Sequence, residues 1–146
     1  MRGHTLVEVL VVLAVIALLA VAAVPGYRGQ VLRAGRSEAR TALLALATAQ
    51  EKFYLECRSY AATLDASGPS DCATLRLRFP AATERGLYRI TVDGADAAAW
   101  SATASRLPGT AQSDDAACRR LGLDSTGLRT ARDDADRPST RECWDR

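Results

Sequence analysis

The sequence predicts an α+β protein in which one long N-terminal α-helix lays its C-terminal half on a small antiparallel β-sheet. Three observations lead there. An unbroken apolar run, Val9 to Val24, is followed by a segment whose apolar residues recur every three to four positions as far as Cys57. Further on, two pairs of short strand-like stretches are each joined by a turn sequence, D-G-A-D at 93–96 and D-S-T-G at 124–127. Four cysteines, Cys57, Cys72, Cys118 and Cys143, all lie beyond the apolar run. A chain of 146 residues holds one domain with a modest core and its leading segment.

The formal charge of +2 is spread unevenly, because residues 1–27 contain only Arg2 and Glu8 as charged groups. An apolar front is joined to a polar remainder. From Leu6 to Val24 a helix would reach roughly 28 Å, which just about crosses a bilayer core of about 30 Å. Three readings compete for this segment. A secretory signal would use Arg2 as its basic end and Ala20-Val21-Ala22 as its cleavage site, and a plain anchor would simply stay in the bilayer. Both leave Glu8 unexplained, since an acid deep in a bilayer costs about 3 kcal/mol. The third reading is a cut between Gly3 and His4. It creates an α-amine one helical turn from Glu8, on the same chain or on a neighbour, and an amine so placed would compensate the buried carboxylate. Between neighbours, such a pair would fix the stagger of identical helices, as a lone polar residue fixes coiled-coil register.

Pro25 removes a backbone donor and crowds the carbonyl of Val21, so the helix either kinks there or ends at the membrane surface. Beyond it Val31, Ala34, Ala39, Ala42, Leu43, Leu46, Ala49, Phe53 and Cys57 form an apolar stripe opposite Arg33, Arg36, Arg40 and Glu51. A continuous helix from His4 to Cys57 would extend roughly 80 Å, half of it stem and half the spine of a head domain. Residues 58–86 lack sustained periodicity and read as a long surface connection stapled by Cys72. Leu87–Val92 and Ala97–Ala104 form the first expected hairpin, with a second between Arg120 and Thr130. The tail from Ala131 alternates charge signs without an apolar pattern, and a bridge from Cys143 would hold it on the head with Trp144 packed beside it.

The cysteines form no C-x-x-C pair, which argues against a zinc or thioredoxin-like site; an even number behind an export-type segment points to two disulfides in an oxidising compartment. Three pairings are formally possible. Sequential pairing closes the two shortest loops, each bridge contributing roughly 3 kcal/mol. No catalytic constellation is visible: His4 is the only histidine, and no glycine-rich phosphate loop follows a strand. Neither an enzyme nor a metal or other cofactor is expected. Arg76, Arg78, Arg119, Arg120 and Arg129, with Arg132 and Arg141, are candidates for a DNA-binding basic face. The aspartates 114, 115, 124, 133, 134 and 136 lie among them and would cancel much of that field.

The stretch G-H-T-L-V-E followed by the apolar run and Pro25 resembles the class III signal and helix start of type IV pilins, whose usual form is G-F-T-L-[IV]-E. The resemblance implies cleavage after Gly3 by a prepilin peptidase, N-methylation of His4, and a helix packed in a filament core with Glu8 paired to an amino terminus during assembly. His4 stands where the family usually has phenylalanine. A-Q-E-K-F-Y-L-E, S-Y-A-A-T-L and C-x-x-L-x-L-D-S-T-G with a late C-W resemble the heads of minor pilins of the PilE and ComP type. There the last two cysteines close a C-terminal loop, which matches Cys118 with Cys143; Cys57 with Cys72 rests on proximity.

The expected organisation is therefore a leader at 1–3, a transmembrane and filament-core helix at 4–27, and a pilin head at 28–146. The expected role is a structural minor subunit of a type IV pilus serving biogenesis, adhesion or twitching motility. Its partners would be other pilin subunits, the prepilin peptidase and the inner-membrane assembly platform. It would reside in the inner membrane with a periplasmic head, and in the extracellular fibre once assembled. The alternatives are a DNA-binding minor pilin for DNA uptake and a type II secretion pseudopilin.

Overall fold

The computed structural model describes residues 5–145, the side chains of 21–25 excepted. Helix α1 (Leu6–Cys57) is continuous over 52 residues. It starts because Thr5, in an extended conformation, accepts a hydrogen bond from the Glu8 amide through Oγ1 at 3.3 Å, leaving one fewer orphan donor in the first turn. It stops at Arg58, whose left-handed φ of 55° turns the chain while its amide still donates to the Tyr54 carbonyl. The helix carries on past Pro25, so it does not end there; the kink expected at Pro25 falls on a segment outside the fully described residues, as do Gly3 and His4. Among the described residues no helix is long and apolar enough to cross a membrane. The apolar run of the sequence continues through 21–24, where the side chains are not described. Its described part is bare, with Leu6, Leu10, Leu18 and Leu19 all more than half exposed.

The second half of α1 buries Arg36, Ala39, Leu43, Leu46, Gln50 and Phe53, a stripe with alternating spacings of three and four. The expected stripe needs two corrections. Ala34 is exposed and Arg36 is buried, because the helix turns Gly35 and Arg36 toward a polar pocket in the head. Gln50 is the other polar member, and its side-chain amide donates to the Ala61 carbonyl and accepts from the Ala61 amide, at 2.9 and 2.8 Å. That pairing satisfies the buried polar atoms of both residues and fixes the chain as it leaves the helix.

The connection 58–86 is more structured than expected. It holds β1 (Thr63–Leu64) and β2 (Arg76–Leu77), paired in parallel, and it buries Tyr60, Ala61 and Leu77 in the core. The Cys57–Cys72 disulfide ties it to the helix end. Strands this short leave no readable alternation in a sequence.

The main sheet contains β3 (Tyr88–Ala95), β4 (Trp100–Arg106), β5 (Arg120–Asp124) and β6 (Arg129–Arg132), antiparallel in chain order. D-G-A-D is not the first turn. Asp93, Gly94 and Ala95 belong to β3, with a bulge between Val92 and Gly94, and the reversal occurs at 96–99. There Asp96 Oδ1 accepts from the amides of Ala98 and Ala99, which gives the chain a local turn partner that the bulge lacks. The second hairpin turns at D-S-T-G as expected: Asp124 accepts from the Thr126 amide and hydroxyl and from the Leu128 amide, and Gly127 takes a φ of 82°.

One face of the sheet, bearing Tyr88, Ile90, Trp100, Ala102, Ala104, Leu121 and Leu123, packs on the α1 stripe. Each fully buried leucine there contributes roughly 1.5–3 kcal/mol. Both sheet edges are closed. Ile90 donates to the Ala81 carbonyl on the β3 side. On the β6 side Ser139 donates to the Ala131 carbonyl, Ala131 to Thr140 Oγ1, and Trp144 Nε1 to the Thr130 carbonyl. These last contacts belong to the tail, whose helix α2 (Thr140–Trp144) is bridged by Cys143 to Cys118. The charged tail is thus held on the head, and Trp144 packs there at 5% exposure.

Candidate functional site

Glu8 occupies the third position of α1, so T-L-V-E reads as a helix-start sequence of the capping-box type as well as a processing motif. Its charge lies in the first turn, where the helix macrodipole favours an anion. The spacing T-x-x-E is visible in the sequence, where Glu8 reads as the partner of an amino terminus on the same chain or a neighbour and not as part of a helix cap.

The head is locked to the spine by a buried polar cluster that sequence patterning missed. Arg36 donates to both carboxylate oxygens of Asp115, from Nε at 2.8 Å and a terminal nitrogen at 2.7 Å. Gln112 Nε2 donates to the same carboxylate at 2.7 Å and to the Leu32 carbonyl at 3.2 Å. A Cβ at Gly35 would collide with the Gln112 amide, so the glycine permits this close approach. Arg36 also reaches the Glu142 carbonyl at 3.5 Å, and Arg40 donates to the Trp144 carbonyl at 2.8 Å. The hydrogen bond and charge of Asp115 hold the Arg36 guanidinium still further above its ordinary pKa. Beside this cluster burial, with the Asp115 charge, pushes the Tyr88 hydroxyl well up. One ion pair therefore joins the spine, the 107–119 loop and the tail that braces β6.

That bracing presents the outer face of the sheet. Strand register places Arg89, Ser105, Arg120 and Arg132 in one row across all four strands, with Thr91, Thr103, Gly122 and Thr130 in the next. Three strand steps make the first row about 14 Å long. The hydroxyl row floors a shallow polar groove of about 360 Å³ that Arg120 and Arg132 flank; Asp93 also lines it, its carboxylate accepting from the hydroxyls of Thr91, at 3.3 Å, and Thr103, at 2.5 Å. Gly122 keeps it open, since a side chain there would run into Thr130 Oγ1. Arg120 and Arg132 are directly opposed, an arrangement that costs stability between like charges.

The candidate arginines are not all in one place. Arg119 and Arg120 adjoin each other and share one partner, Asp136 Oδ1. Arg129 lies on the other face of the sheet, over the Trp144 ring with its guanidinium carbon 5.2 Å from the centroid. Arg76 sits on β2, 3.8 Å from Asp65, and Arg78 follows it on an exposed stretch. Arg89 was missed in the sequence, though alternation along L-Y-R-I-T-V sets it opposite Tyr88 and Ile90. The aspartates among the arginines are largely committed: Asp115 to Arg36, Asp133 to Arg137, Asp134 to Arg106, Asp136 to Arg119 and Arg120. Among the described residues, Arg89 and Arg132 form no ion pair with an acidic side chain. The guanidinium groups of this surface suit anionic oxygens such as phosphates, on the arginine side of the groove and away from the Asp93 carboxylate.

A comparison with curated proteins finds no match. The family described as "Type IV minor pilin ComP, DNA uptake sequence receptor" matches residues 25–122, and "Prokaryotic N-terminal methylation motif" matches residues 1–24. The first match spans the head-bearing half of α1, β1 to β4 and the first three residues of β5, and ends before β6 and the tail. With a long helix, a four-stranded antiparallel sheet and a disulfide-closed tail behind a methylation motif, the chain belongs to the ComP family of type IV minor pilins.

Proposed function

We propose that this minor pilin is cut after Gly3, methylated on His4 and drawn into a type IV pilus, where its head binds DNA through the outer face of the sheet. The division into a leader at 1–3, a stem at 4–27 and a head at 28–146 belongs to this reading. Before assembly the stem holds the protein in the inner membrane with a periplasmic head; afterwards the head lies on an extracellular fibre. Its partners are other pilin subunits, the prepilin peptidase and the assembly platform. The exposed apolar stem supports packing between subunits, because so much uncovered leucine and valine favours burial in lipid or against like helices. Glu8 pairs with an amino terminus and sets the stagger of neighbouring stems. The role is structural and receptive rather than catalytic.

The observation that carries the DNA reading is the arginine row across the outer face of the sheet, with Arg120 and Arg132 directly opposed beside a groove floored by hydroxyls. The matched family is described as a DNA uptake sequence receptor. Arg89, Arg119, Arg120 and Arg132 are the binding residues in this reading; Arg129, on the opposite face, and Arg76 and Arg78, on β2 and just beyond it, are not. The test uses the full-length protein in non-ionic detergent with labelled duplex DNA over a salt series. Binding should weaken linearly on a log–log plot, with a slope of about −0.9 for each phosphate contacted. Replacing Arg120 and Arg132 by alanine should flatten that slope, whereas Arg129→Ala should leave it unchanged. No binding at low salt would refute the reading.

A further inference from the structure

Three arginines meet at a single residue of the tail. Asp136 Oδ1 accepts from terminal nitrogens of Arg119, at 3.1 Å, and of Arg120, and the Asp136 carbonyl accepts from Arg132 at 2.8 Å. Two guanidinium groups converging on one anionic oxygen is the arrangement by which arginines hold a phosphate. We propose that the Asp136 carboxylate is an internal stand-in for a DNA phosphate, which must be displaced when the backbone of DNA occupies the arginine row. This rests on the DNA reading of the preceding section and adds a built-in competitor to it.

The loop around Asp136 is built without its carboxylate. The Arg137 amide and Nε both donate to Asp133, the Asp133 amide donates to the Arg137 carbonyl, and the Asp136 amide donates to the Asp133 carbonyl. Asp136 itself adopts a φ of 60°, a left-handed conformation that non-glycine residues seldom take. The loop therefore holds an aspartate in an uncommon conformation over the guanidinium groups, although its closure does not require the side chain. The ion pairs are solvated, with side-chain exposures of 36% for Arg119, 41% for Arg120 and 56% for Asp136. Pairs so exposed contribute little to stability. An incoming phosphate can exchange with the carboxylate at small cost, and the tail lies beyond the stretch matched to the family.

The experiment compares wild-type protein with Asp136→Asn, full length in detergent, by fluorescence anisotropy on labelled duplex DNA over a salt series. Asparagine tolerates the left-handed conformation and keeps the shape while removing the charge. Asp136→Asn should bind roughly 1.5- to fivefold more tightly, a range set by the small worth of exposed pairs. The gain should vanish when Arg119 and Arg120 are also replaced by alanine. Wild-type binding with no gain in Asp136→Asn, or a gain that persists without the two arginines, would overturn the inference and leave the DNA reading standing. No binding by either protein at low salt would overturn both. Unchanged thermal unfolding of Asp136→Asn is expected, and a large drop would show that the carboxylate serves the fold instead.

Discussion

Asp115→Ala should be the most damaging single change in the head outside the apolar core. Asp115 is 1% exposed and accepts three charge-assisted hydrogen bonds, two from Arg36 and one from Gln112. Without it Arg36, 8% exposed, keeps only the Glu142 carbonyl at 3.5 Å and the Glu142 carboxylate at 3.9 Å. Removing one partner of a buried pair costs about 3–5 kcal/mol, and the residual contact with Glu142 places this case near about 3 kcal/mol. For a domain of this size that lowers the melting temperature by roughly 10–15 °C. Near-ultraviolet circular dichroism of the full-length protein in detergent reads it directly, because Trp100 and Trp144 are both buried. Replacing both charges, Arg36→Met with Asp115→Leu, should restore most of the loss, since no uncompensated charge is left in the interior. A drop below about 3 °C for Asp115→Ala, or a double variant as unstable as the sum of its singles, would refute the reasoning.

Glu8→Ala should leave the protein in the membrane fraction but greatly reduce its recovery in sheared fibres, and Glu8→Gln should do the same, since it removes the charge alone; normal incorporation of either would sink the registry role. Replacing Cys118 and Cys143 together by serine should cost roughly 3 kcal/mol and increase solvent quenching of Trp144, measured by unfolding and by fluorescence; an unchanged protein would show that the bridge does not hold the tail. Stability should fall in acid. The Ala98 and Ala99 amides hold Asp96 below the usual carboxylate range, as the Thr126 hydroxyl, followed by the Leu128 amide, does for Asp124. A depressed folded pKa gives stability that is complete above the unfolded value of about 3.9 and is lost as pH falls through the folded one. The melting temperature should therefore decline below about pH 4, less steeply in Asp96→Asn, and a flat profile would contradict the role of these turns.

The long helix, the α+β class and the D-S-T-G hairpin were legible because each has a strong local signal: apolar periodicity, strand alternation and a turn residue whose side chain closes the turn. D-G-A-D misled because Asp-Gly marks a bulge as readily as a turn, and the turn partner three residues later, Asp96, decided between them. Arg36 looked like a solvent residue since its pairing partner lies 79 positions away, and no local pattern reports a contact of that range. Separation along the chain also left the basic face unsorted: Arg120 and Arg132 were among its candidates, Arg89 was not, and Arg129 fell on the opposite side. Arg89, Arg120 and Arg132 come from three strands, and only the register of the sheet puts them in a row. In the stem, T-L-V-E also holds a helix start in four letters, but the processing motif drew the reading of Glu8 and the capping role of Thr5 emerged only with the fold.

The central claim, that this chain is a processed subunit of a pilus, is tested most directly by intact-mass spectrometry of the protein recovered from sheared fibres. The account expects a chain beginning at His4, heavier by the one CH2 that N-methylation adds and lighter by the four hydrogens lost in two disulfides, with peptide maps joining Cys57 to Cys72 and Cys118 to Cys143. An unprocessed chain retaining Gly3, found in membranes and missing from fibres made by the same cells, would contradict it.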